Sequence, residues 1–119
     1  MDRVLFSSAK DDWRTPTALY RLLVILEERF DVSDRHGGTF DALKAPWPEP
    51  WFCNPPYGRQ IGEWTRRMRG RGVALLPVRT DTEWFHELWP RIVKIVFFKG
   101  RLHFNDAGPA PFPSMLVYV

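Results

Sequence analysis

Asn54-Pro55-Pro56-Tyr57-Gly58 follows a short apolar run, Trp51-Phe52-Cys53. The pattern suits chemistry on a planar amine. Such a nitrogen shares its lone pair with the attached ring and is a poor nucleophile. Two acceptors placed on its hydrogens favour a more tetrahedral, electron-rich nitrogen. The Asn54 side-chain oxygen and the Pro55 carbonyl are the candidates. Two consecutive prolines restrict the loop, so the acceptors are in place before a substrate arrives. Tyr57 offers a flat face for a base turned out of its stack, and Gly58 allows close backbone approach. The same pentapeptide could also be no more than a strand-ending turn.

A group-transfer donor such as S-adenosylmethionine needs its own site. Acidic residues at strand ends suit its ammonium and ribose hydroxyls. Asp31 and Asp34 lie at the end of the first expected strand, and Asp41 lies shortly before the Asn54 strand. Thr15-Pro16 reads as a helix start whose backbone N–H groups could face a carboxylate. For each there is a structural alternative: a loop cap for Asp31 or Asp34, a turn for Asp41, an N-cap for Thr15. Arg59, Arg66, Arg67, Arg69 and Arg71 crowd the stretch after the Asn54 motif, a cluster that suits phosphate. Arg79 follows a buried-strand pattern and could contact phosphate or order the loop through a carboxylate.

These groups need a scaffold. Leu19, Leu22, Leu23, Leu26 and Phe30 recur at helical spacing after Thr15-Pro16. A strand over 30–33 follows, then a strand at 51–53. Ile61, Trp64 and Met68 mark a second helix, ended by Gly70 and Gly72. Residues 73–76 read as a strand buried on both faces and 82–89 as a helix capped by Asp81 or Thr82. Strands are expected at 92–98, 101–104 and 115–119. Strands alternating with helices imply an α/β fold with a mostly parallel sheet, finished by an antiparallel C-terminal edge turning at Lys99-Gly100. In such sheets ligands bind beyond the carboxyl ends of the strands, at the loops that begin at Ser33, Asn54 and Pro77.

The 119 residues fit one domain, 15–119, behind an irregular leader, 1–14. At 45% hydrophobic residues the chain can build a core and is not a disordered polymer. Most of its six tryptophans are expected to serve packing. The net charge of +3 alone says little about a polyanionic partner. Cys53 is the sole cysteine, which excludes an internal disulfide, and no His/Cys spacing suggests zinc. No signal segment or membrane-length apolar run is visible, so a cytoplasmic protein is expected.

Taken together, the residues resemble the phage-type DNA N6-adenine methyltransferase family. The matching pieces are WRTP at 13–16, FD at 30–31, DAL at 41–43, W at 47, NPPYG at 54–58, LLPVRTDTEWFH at 75–86, GRLHF at 100–104 and PAPFPSMLVYV at 109–119. The resemblance implies a small Rossmann-like class I methyltransferase fold, S-adenosylmethionine as donor and double-stranded DNA as partner. It matches Thr15, Pro16, Asp31 and Asp41 to donor-contacting positions, and Asn54, Pro55, Pro56 and Tyr57 to the catalytic loop. The chain departs from that pattern in having no glycine-rich loop after the first strand, a very short stretch from there to Asp41, and no separate target-recognition domain. The departures leave a second expectation, a DNA-binding protein on a catalytically weak or inactive methyltransferase fold. A third keeps the chemistry and changes the acceptor to RNA adenine or a protein glutamine amide. A homodimer is compatible with all three.

Overall fold

The computed structural model describes residues 14–33, 40–104 and 108–119. Asp34, Trp13 and the rest of the expected leader lie outside them, apart from Arg14.

Phe52, Val73 and their neighbours form strands because short apolar runs here are bounded by residues that end sheet pairing. β1 (Phe30–Asp31), β2 (Trp51–Cys53), β3 (Gly72–Pro77), β4 (Lys94–Phe97) and β5 (Ser114–Tyr118) form one mixed sheet in the order β1-β2-β3-β5-β4. β1, β2 and β3 pair in parallel, and β5 is antiparallel to both its neighbours. Four of the five strands therefore run the same way. Every residue of β3 is buried, as its unbroken apolar run requires.

Three expectations change. Residues 101–104 do not form a strand, and no hairpin closes across Lys99-Gly100. β4 pairs instead with β5, whose first four residues are all buried. A strand that can be covered on both faces outcompetes the short Arg101–Phe104 segment. The last strand consequently lies inside the sheet, and β4 forms the edge.

The first helix also differs. α1 (Thr17–Tyr20) continues as a π-wound stretch, Arg21–Leu26, and stops before Phe30. The wider winding shifts the apolar stripe out of phase, so Leu23 is fully buried while Leu22 and Leu26 are exposed. Thr15 is not the N-cap. Pro16 holds that position with extended backbone, and the Thr15 hydroxyl engages a different partner, described below.

α2 (Ile61–Thr65) tightens into a turn that carries Met68, and it buries Ile61, Trp64 and Met68 as their spacing predicts. Arg91 donates to the carbonyls of Thr65 and Met68, at 2.9 and 3.0 Å, closing the end of that helix. Desolvation at this partly buried position, with repulsion from Arg69, lowers the Arg91 pKa from its ordinary value. α3 (Glu83–Leu88) starts at Thr82, whose hydroxyl oxygen accepts from the Phe85 N–H at 3.4 Å. Thr82, rather than Asp81, is thus the cap.

Tryptophan packing fixes the outer wall. Trp51 is fully buried, donates to the Arg69 carbonyl at 2.8 Å and meets Trp47 edge-on at 5.0 Å. Trp64 is buried beside Trp47, whereas Trp89 is exposed. Among the described residues no helix is long and apolar enough to cross a membrane.

Candidate active site

Three distant stretches of sequence meet where β1 and β2 end. Asn54 is the first residue beyond β2 and is 3% exposed. Its backbone N–H donates to the Ser33 hydroxyl at 3.0 Å, and its side-chain nitrogen donates to the Thr15 hydroxyl at 3.1 Å. The Ser33 hydroxyl in turn donates to an Asp31 carboxylate oxygen at 2.5 Å, and the Ser33 N–H reaches the same oxygen at 2.9 Å. Thr15, Asp31 and Asn54, each singled out in the sequence, therefore belong to one polar cluster. Ser33, which links Asp31 to Asn54, carried no sequence signal beyond its place at a strand end.

The prolines behave as their chemistry demands. Neither can donate a backbone hydrogen bond, so the chain leaves the sheet at Asn54. Pro55 is fully buried and Pro56 partly so. Tyr57 turns inward. It is 7% exposed, and its hydroxyl donates to the Leu75 carbonyl at 3.0 Å. Phe112 and Phe104 meet its ring edge-on, at 5.4 and 6.4 Å between centroids. The open stacking face expected of Tyr57 is thus covered in this conformation. Local sequence could not reveal that cover, because Phe104 and Phe112 come from the long connection between β4 and β5.

The far end of the same loop opens on a cleft of about 690 Å³. Its walls come from Tyr57 to Gly62, from the end of β3, from the start of α3 and from Phe112. Arg59, Arg66 and Arg79 all line it, which gathers the three expected phosphate contacts into one place. Arg59 and Arg79 are exposed, and the Arg79 guanidinium lies 6.0 Å from the centre of the Phe112 ring. Arg66 donates to Glu87 at 3.1 Å. That hydrogen bond, with the glutamate charge, raises the arginine pKa further above its ordinary value. Asn54 does not line the cleft, so the polar cluster and the cleft occupy opposite ends of the Asn54–Tyr57 loop.

Not every arginine is equally available. Arg67 donates to the Ala45 carbonyl at 2.6 Å. Arg66, Arg67 and Arg69 also border a smaller hollow of about 350 Å³ beside Trp47.

Asp41 stands apart from the cluster in role. It is exposed, accepts from the Leu43 N–H at 3.1 Å and lies 4.0 Å from the Lys44 ammonium. Those contacts place it in a turn, and Asp31 makes the same local contact with the Ser33 N–H two residues on. His86 is exposed on α3, with one ring nitrogen 2.8 Å from the Thr80 carbonyl. Cys53 is buried in the sheet, and no group of three potential metal ligands occurs among the described residues.

The donor set fits S-adenosylmethionine in part. Asp31 and Thr15 converge beside Asn54, as a donor next to the amine would require, while Asp41 is engaged in its turn. Comparisons of the chain with protein-family models, with characterised proteins and with solved structures give no match.

Proposed function

We propose that the protein transfers a methyl group from S-adenosylmethionine to the exocyclic amine of adenine in DNA. The observation that carries this reading is the convergence of Thr15, Asp31 and Asn54 in one partly buried polar cluster. A loop rich in prolines and a half-buried acid could serve a structural turn separately. Their linkage through the Ser33 hydroxyl fits a site that must hold a donor and an acceptor side by side.

The roles follow from the atoms. The Asn54 side-chain oxygen and the Pro55 carbonyl accept the two amine hydrogens and make the nitrogen a better nucleophile. Asp31 and Thr15 would hold the polar groups of the donor, whose S–CH3 bond would break as the amine nitrogen takes the methyl group, leaving the neutral thioether S-adenosylhomocysteine. The methylated nitrogen then loses a proton to water, which needs no dedicated base. A base stacks on the Tyr57 ring once Phe104 and Phe112 move off it, a contribution of about 1–3 kcal/mol. Arg59 and Arg79, exposed at the cleft, hold the flanking phosphates.

DNA incubated with the protein and the donor, then digested to nucleosides, should contain N6-methyladenine. If methyl groups appear only in RNA or in a glutamine amide, the DNA assignment is wrong and the chemistry stands. Arg59→Ala and Arg79→Ala should each weaken DNA binding at all sequences. Each should also lower the slope of log affinity against log salt by about one for every phosphate that is no longer neutralised. An unchanged slope in both removes the cleft from the interface.

The burial of Asn54 and Tyr57 favours one other reading, a DNA-binding protein that performs no transfer. Calorimetry with S-adenosylhomocysteine separates the two: heat of binding supports the enzyme, and none supports the binding module.

A further inference from the structure

We infer that Ser33 is a positioning residue that anchors the Asn54 loop to the Asp31 carboxylate; the functional part of this inference rests on the methyltransferase reading. Among the described residues, the bond from the Val32 N–H to the Phe52 carbonyl, at 3.0 Å, is the last main-chain rung between β1 and β2 toward the loop. Past it the chain after β1 turns, and the Ser33 hydroxyl takes the next position by accepting from the Asn54 N–H.

That N–H is the last main-chain donor before Tyr57, because Pro55 and Pro56 have none. Whatever holds it therefore sets where the Asn54 side chain and the Pro55 carbonyl point. A hydroxyl is suited to the place for a simple reason. The Asn54 N–H can only donate, and an ionised Asp31 can only accept. Ser33 satisfies both at once, and its 2.5 Å contact to Asp31 is typical of a hydroxyl on a carboxylate. Ser33 is 9% exposed, so water competes poorly for either bond. The acid assigned to the donor thus also holds the loop assigned to the amine, and the two halves of the site share one carboxylate.

Ser33→Ala tests this. It should lower kcat for N6-methyladenine formation by roughly ten- to a hundredfold, as small displacements of catalytic groups do. Affinity for S-adenosylhomocysteine should change by less than about threefold, because Asp31 and Thr15 remain. By NMR, hydrogen exchange at the Asn54 amide should quicken by about tenfold, the effect of removing one hydrogen bond. Ser33→Thr, which keeps the hydroxyl, should restore both kcat and amide protection. Unchanged Asn54 exchange in Ser33→Ala overturns the anchor. So does equal impairment in Ser33→Ala and Ser33→Thr, and so does an undiminished kcat. If the parent protein forms no N6-methyladenine at all, the methyltransferase reading fails, and Asn54 exchange alone then decides whether Ser33 anchors the loop.

Discussion

Asn54→Ala is expected to lower methyl transfer to adenine by at least about a hundredfold while the fold persists. The size follows from the cost of removing one positioned polar group at a reacting centre, about 3 kcal/mol or more in comparable sites. The structural cost is smaller. The variant keeps the backbone N–H that reaches Ser33 and gives up the side-chain bond to Thr15, worth about 1 kcal/mol. Activity and stability should therefore separate. Labelled methyl incorporation and a thermal melt on the same preparation read both. Thr15→Val should cost less activity than Asn54→Ala, because it removes a partner of the amide and not the amide itself. Transfer undiminished in Asn54→Ala would take the catalytic role away from this loop. A collapsed melt would assign Asn54 to folding instead.

The second large effect concerns the wall behind the site. Trp51→Ala should destabilise the domain by about 3–5 kcal/mol, as deletion of a buried aromatic side chain does. Its ring lies directly over Gly72, its register partner on β3. A Cβ at Gly72 would fall within the Trp51 indole, so the ring or the strand would have to shift. Gly72→Ala should consequently cost on the order of 1–3 kcal/mol through overpacking. Much of that penalty should vanish in a Trp51→Leu background, where the indole is gone. Chemical denaturation of the four proteins in this cycle measures the coupling. Additive effects would mean that Gly72 is constrained by something other than Trp51.

The sequence accounts for a good part of the scaffold, and the reason differs by element. β3 was legible because a short continuous apolar run between a glycine and a proline suits a strand buried on both faces. α2 was legible because Ile61, Trp64 and Met68 repeat at the helical period, and α3 because Thr82 precedes a short amphipathic run. The π winding after Tyr20 was not legible, since Leu22 and Leu26 fit a regular helix equally well. The Arg101–Phe104 segment misled for a related reason. Local strand propensity cannot say which partner an edge will choose, and β4 gains more burial from β5.

The candidate site divides along the same line. Sequence alone determined the chemical inventory: an amide and a carbonyl fixed by two prolines, acids at strand ends, and arginines downstream. Residue type and chain stiffness are local properties, so no fold was needed to read them. Only the tertiary structure decided which of them meet. It joined Asp31 to Asn54 through Ser33 and Asn54 to Thr15, placed Asp41 in a turn, covered Tyr57 with Phe104 and Phe112, and gathered Arg59, Arg66 and Arg79 around one cleft. Those meetings depend on strand register and on a connection that returns from the far edge of the sheet. Contacts of that kind span tens of residues and leave no trace in local spacing.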